Sequence, residues 1–539
     1  MEAFEPRAGL RRDHRRSRRR FLAAALALFT AAAIWATWPA VRHLDGGHYL
    51  ARPAAGYGEA AAGDHLQLGW ALWLTGHQLE RGDVPWRDPY TFQPIAGAPA
   101  SLQGWLLGLP FWPLERIAGP VWAYNLVLLV TFLLAGGLAT WWLRTLGLGR
   151  APALAGGLVF ALAPYRVGQS TGHLLGLASF LLPGILLALE RRRWLLAAAA
   201  LLAIPCSGQF HLALGAIPLA VGYALTRHRR HEWWRAGVIA GAAVIAGWRL
   251  ERWTVEGSVV DEGTRSFGQV ERYSADVADF VTRSAGDGIE RFVFVGWLTP
   301  LLALAGLVVA RRLGVRMLAF LLAAAAVPVL LALGANLPGY RRLWDTFPPL
   351  SFTRVPERLL PIAALALAAL VGLAMDALCR RTASRSAVAA LAAAAAAAIA
   401  VDLHVPVFGA VAADTPNAAY AQLDGPGTVL ELPVIRPDLH FGSTAMAYAR
   451  QSPRPRPQGY STIAPPEADR FARRHRGLSC GRGAFPEEIG LRYVVLHEGL
   501  YRQTGFFGEG CAAAAEARLR GDGWTLLARD RGISSWERP

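Results

Sequence analysis

Ala62-Gly63-Asp64-His65-Leu66-Gln67-Leu68-Gly69-Trp70-Ala71-Leu72-Trp73 sets an acidic residue a short way beyond the first long apolar run of the chain. From Leu66 to Leu79 the large apolar residues recur at helical spacing, with Trp70 and Trp73 among them. Such a segment suits a helix lying along a membrane surface. The reading turns on whether Asp64 faces outward, and the flanking sequence decides that.

Of 539 residues, 53% are apolar and only 17% charged, and the mean hydropathy is +0.28. Long apolar runs recur from Phe21 to Pro406. This is the composition of a polytopic membrane protein. The net charge of +16 is carried by arginine, without a single lysine. The arginines cluster between apolar runs, where topology explains them, so nucleic acid is not the expected partner. Arginine and alanine richness without lysine points to a high-GC bacterial genome.

Residues 1–20 hold eight arginines and precede the apolar run Phe21–Ala40. No small-residue cleavage site ends that run early, so it reads as an uncleaved first span with a cytoplasmic basic N-terminus. Residues 41–120 then form a long outer loop. The remaining crossings are Val121–Leu143, Ala151–Pro164, Leu174–Leu189, Trp194–Ser207, Phe210–Leu225, Ala236–Trp248, Trp297–Ala310, Met317–Leu333, Leu359–Leu378 and Ala387–Val405. That makes about eleven, several shorter than the usual ~20 residues. Each short inner loop carries arginines, as the positive-inside bias requires. The membrane domain is thus read as 21–406.

Residues 407–539 read as a small α/β domain outside the membrane. Thr428–Val434 and Leu491–His497 suit buried strands, Ala512–Leu519 a helix, and Trp524–Arg529 with Ile533–Arg538 a hairpin turning near Arg531-Gly532. Cys480 and Cys511 lie in this region, and either a disulfide or two free thiols fits an extracytoplasmic position.

Several short motifs carry a resemblance. Gly63-Asp64-His65-Leu66-Gln67-Leu68-Gly69-Trp70 and Arg87-Asp88-Pro89-Tyr90 resemble the first outer loop of bacterial GT-C-fold membrane glycosyltransferases. Phe160-Ala161-Leu162-Ala163-Pro164-Tyr165-Arg166, Glu271-Arg272-Tyr273-Ser274-Ala275-Asp276 and Arg354-Val355-Pro356-Glu357-Arg358 are similar to later segments of that group, as is Gly490-Leu491-Arg492-Tyr493-Val494-Val495. The nearest sets are the YfhO-like and mannosyltransferase-like membrane proteins. The resemblance implies an all-α polytopic GT-C-like domain and inverting transfer of a sugar from a polyprenyl-phosphate donor. The acceptor would be a cell-envelope glycan, lipid or protein. It also implies that an acid in the first outer loop, here Asp64, acts as base. Many members have two adjacent acids there; this chain has Asp64-His65, which leaves Asp88 as the second acid or none.

The chemistry names further candidates. An inverting transfer needs a base for the acceptor hydroxyl and positive charge for the leaving phosphate. A divalent metal, Mg2+ or Mn2+, could supply that charge, with His65 as a ligand beside Asp64. Arg166, His173, Arg354 and Arg358 stand at outer turns where a lipid phosphate lies, and arginine pairs well with phosphate. Asp88, Arg272 and Tyr273 complete the set expected to bind substrate. Each has a plainer reading: a helix cap for Asp64, a turn for Asp88, a surface ion pair with Asp276 for Arg272, and interfacial anchoring for the other arginines. The rivals to a transferase are a lipid-linked glycan transporter or flippase, and a scaffold that keeps the fold without the chemistry.

Overall fold

The computed structural model of the chain describes residues 8–97, 100–260, 266–283, 289–347, 350, 353–382 and 384–539, with side chains from residue 17 onward. Apolar runs without internal polar partners can satisfy their backbone only as helices, and a helix forms in every one of the expected crossings. Six are long and apolar enough to cross a membrane: Ser17–Ala36, Pro120–Thr145, Phe210–Arg227, Val315–Ala332, Pro356–Arg381 and Arg385–Asp402. The other segments hold Arg150–Ala161, Leu181–Glu190, Trp194–Cys206, Trp233–Val255 and Leu298–Ala310. Four of these are short; Trp233–Val255 is long, but Arg235, Arg249, Glu251 and Arg252 dilute its apolar character.

The helices pack through small residues, which let backbones approach closely. A side chain at Gly156 would come within 2.6 Å of the Ala368 carbonyl, and one at Gly157 within 2.6 Å of the Gly136 carbonyl. Arg150–Ala161 is therefore gripped between the Pro120–Thr145 and Leu360–Arg381 helices.

Residues 41–120 are held against later parts of the chain at two places. Their strand β1 (His48–Ala51) pairs antiparallel with β2 (Gly409–Ala412), just after the last long apolar helix. Further on, the Asp64–Glu80 helix packs against Trp105–Ala118 on one side and Ser443–Ala449 on the other. Twelve of its 17 residues are buried, including Trp70 and Trp73. The expectation of a surface-lying helix is thus corrected. Its apolar residues face protein all round, because the C-terminal region covers the side that would have met headgroups.

Beyond β2, that region forms a four-stranded sheet of β3 (Thr428–Leu432), β4 (Leu491–His497), β5 (Thr525–Asp530) and β6 (Ile533–Glu537), in the order β3-β4-β6-β5. β3 and β4 run parallel and the other pairs antiparallel. The β5–β6 turn uses Arg531 and Gly532, at φ +47° and +84°. Cys480 and Cys511 form a disulfide. A buried polar chain fastens the outer loop to the sheet. His497 lies between Glu59, 2.9 Å from Nδ1, and Glu431, 3.1 Å from Nε2. Arg456 donates to Glu431 Oε1 at 2.6 Å, and all four residues are at most 2% exposed.

Candidate active site

Gly63 ends an extended segment, and Asp64 opens the buried helix that follows. The loop carrying His173 presses on that helix start. A Cβ at Gly172 would lie 3.1 Å from Asp64 Cβ and 2.9 Å from the His65 backbone nitrogen, so only glycine permits the approach. His173 Nε2 then sits 3.0 Å from Asp64 Oδ2. Its other nitrogen is held by Gln169 Oε1 at 2.8 Å, which fixes the ring. The Tyr460 hydroxyl donates to Asp64 Oδ1 at 2.8 Å from the C-terminal region.

A second carboxylate stands on the far side of His173. Glu290 Oε1 is 3.9 Å from His173 Nε2 and accepts from Arg358 Nη2 at 3.1 Å. Gln169 Nε2 donates to Glu290 Oε2 at 3.3 Å. Asp64, His173, Glu290 and Arg358 thus form a row of alternating charge along one wall of a cavity of about 1190 Å³. The cavity also takes in Gln67, Arg272, Tyr273, Arg354 and His440.

The electrostatics follow from the row. Burial opposes charge on Asp64, but His173 and the Tyr460 hydrogen bond outweigh it and hold the carboxyl well below the usual range. Burial likewise works against a charged His173, yet Asp64 and Glu290 prevail and raise it above its ordinary value. For Glu290, burial is outweighed by Arg358 and His173, and the carboxyl is held down.

The sequence candidates divide. Asp64, His173, Arg272, Tyr273, Arg354 and Arg358 all line the cavity, Arg354 over the Tyr273 ring at 5.7 Å. Arg272 does not pair with Asp276, which instead meets Arg291 at 3.3 Å. Asp88 borders the cavity, but four donors fill its oxygens: Trp70 Nε1, the backbone nitrogens of Tyr90 and Thr91, and the Thr91 hydroxyl. It braces the loop rather than standing as the second acid. Arg166 is corrected as well. It is fully buried, donates to the carbonyls of Ala161 and Thr131 at 2.9 and 3.0 Å, and lies over Phe132 at 4.5 Å. A guanidinium buried against backbone carbonyls is not available to a phosphate. His65 turns away from Asp64, because adjacent helical residues point about 100° apart. Its ring packs against Tyr49 at 5.4 Å and is 2% exposed, so it does not stand beside Asp64 as a metal ligand.

Glu290, Tyr460 and Gln169 were not legible as site residues. Tyr460 is 396 residues from Asp64, in a proline- and arginine-rich stretch with no local signal. Glu290 falls in the 249–296 segment, which holds other acids such as Glu271 and Asp276 and gives none of them a distinguishing local pattern.

No family model and no curated protein matches the chain. Among solved structures it is similar to an oligosaccharyltransferase of Archaeoglobus fulgidus in complex with Zn and sulfate, at 14% identity and TM-score 0.46, covering 95% of this chain and 73% of that one. It is also similar to ArnT from Cupriavidus metallidurans in the apo state, at 15% identity and TM-score 0.47, covering 96% of each. The same ArnT bound to undecaprenyl phosphate matches at 13% identity and TM-score 0.47, covering 96% of this chain and 97% of that one. At such identities no residue role carries over.

Proposed function

We propose that the chain is a membrane glycosyltransferase of GT-C type that moves a sugar from a polyprenyl-phosphate carrier to a cell-envelope acceptor on the outer face. The observation that carries this reading is the charge row Asp64–His173–Glu290–Arg358 in one large cavity, between apolar helices and a C-terminal roof. A transporter would carry its ionisable groups near mid-bilayer in broken helices; these stand at helix starts and in connecting segments.

In the reaction, an acceptor hydroxyl hydrogen-bonds to Asp64. Its oxygen forms a bond to the anomeric carbon as the carbon–oxygen bond to the carrier phosphate breaks, with inversion. The electron pair leaves with the phosphate, and the hydroxyl proton passes to Asp64. A carboxylate held so low is a weak base toward a resting alcohol. The transfer is therefore late, once bond formation has made the hydroxyl acidic. Arg358 and Arg354 face the growing phosphate charge. Tyr460 and His173 fix Asp64 from two sides, so its orientation is set before substrate arrives.

A divalent cation between Asp64 and Glu290, whose oxygens flank His173 Nε2 at 3.0 and 3.9 Å, would have to displace the proton on that nitrogen. Such an ion would add positive charge toward the leaving phosphate. The test is envelope glycan composition in a deletion strain carrying wild type or Asp64→Asn. Loss of one glycosylation restored only by wild type supports transfer; normal transfer with blocked export supports a transporter.

A further inference from the structure

A second cluster lies outside the cavity, where the first apolar helix gives way to the outer loop. His43, Asp45 and His48 each offer one ligand atom, and the three atoms lie within 4.8 Å of one another. His48 Nδ1 is 3.0 and 3.1 Å from the two Asp45 oxygens, and the two imidazole centroids are 5.6 Å apart. We propose that His43, Asp45 and His48 form a binding site for a borderline divalent cation of the zinc type, which clasps the start of the outer loop.

The backbone is shaped for this convergence. Gly46 turns at φ +78°, and a Cβ there would lie 2.9 Å from the Trp122 ring, so glycine is required twice over. The Gly47 amide donates to Asp45 Oδ1 at 2.9 Å, which aims the carboxylate back toward His48. The opposite end is equally fixed: Asn125 Nδ2 donates to the His48 carbonyl at 2.8 Å, and His48 pairs with Ala412 in the β1–β2 ladder. His43 closes the short 3-10 turn Ala40–His43. The ligands therefore come from a turn and a strand whose positions do not depend on an ion.

The donor set decides the class of cation. Zinc bonds of about 2 Å place tetrahedral ligands a little over 3 Å apart, within what this cluster spans after small rotations. Two imidazoles with one carboxylate favour zinc or its transition-metal neighbours over Mg2+ and Ca2+, which prefer oxygen. Three protein ligands leave a coordination place for water; because they come from a turn and a strand, the ion would join the two. A bound ion would pin the helix exit to β1, and β1 leads into the segment that ends at Asp64.

The experiment is Zn2+ binding to the full-length protein in detergent, by equilibrium dialysis after chelator treatment. A His43→Ala/His48→Ala double variant should bind one equivalent fewer than wild type and lose the zinc-induced rise in thermal midpoint. Asp45→Asn, which keeps both imidazoles, should bind at least tenfold more weakly. An Asp64→Asn/His173→Ala variant should keep this equivalent, which separates it from any ion in the cavity. His43 and Asp45 are exposed, so these variants should fold. An unchanged zinc count in the double variant, or loss of the equivalent only with Asp64 and His173, would overturn the proposal.

Discussion

Tyr460 donates a hydrogen bond to Asp64 across 396 residues of sequence, at 2.8 Å, from the C-terminal region to the first outer loop. The proposed base is therefore oriented by the domain that roofs its cavity. A hydrogen bond to a charged group contributes about 1.5–3 kcal/mol. Tyr460→Phe should then lower sugar transfer roughly tenfold or more, at unchanged expression. Transfer at the wild-type rate would show that Asp64 needs no such positioning.

Arg358 and Arg166 should separate cleanly on mutation. Arg358→Ala removes the partner of Glu290 and a cation of the cavity. It should weaken undecaprenyl-phosphate binding by the purified protein, and Arg358→Lys should restore it in part. Arg166→Ala instead empties a fully buried site and removes the hydrogen bonds to the Ala161 and Thr131 carbonyls, at a cost of about 1–3 kcal/mol. Its signature should be low yield and a lowered thermal midpoint, with lipid binding intact in whatever folds.

His497 gives the fold an alkaline limit. Burial works against its charge, but Glu59 and Glu431 outweigh that and push its pKa up to about 9. The folded value lies above the unfolded value of about 6.5. Its stabilisation is therefore complete below about 6.5 and is lost as pH rises through about 9. The thermal midpoint of wild type should fall between pH 7 and pH 10. That of His497→Gln should start lower and change less; parallel curves would refute the assignment.

The disulfide between Cys480 and Cys511 closes a loop with a sequence separation of 31. Chain entropy for a loop of that size gives about 3–4 kcal/mol. Reduction should lower the unfolding midpoint of the C-terminal domain and speed its proteolysis. Disulfides persist in oxidising compartments, so the domain is expected outside the cytoplasm. A reporter fused after residue 60 should be active only as an outward fusion.

The helices and strands were legible because burial imposes its own period on sequence. Apolar runs gave each membrane-type helix, and the β4 stretch Leu491–His497 could only be a strand with both faces covered. What stayed hidden depends on contacts far apart in the chain. The Asp64–Glu80 helix looked interfacial because nothing local announces a domain folding back over it. Arg166 looked like a headgroup ligand because exposure, which separates a free guanidinium from one buried against backbone carbonyls, leaves no mark on sequence. Asp88 looked like the second acid because it is near Asp64 in the chain; Glu290 holds that place in space.

The central claim is that Asp64 takes the acceptor's proton. It is tested most directly by sugar transfer with Asp64→Asn and wild type at equal protein levels in a deletion strain. The amide keeps size and shape but cannot accept a proton, so transfer should fall by several orders of magnitude while the protein remains folded and still binds undecaprenyl phosphate. Transfer within a few-fold of wild type would contradict the account.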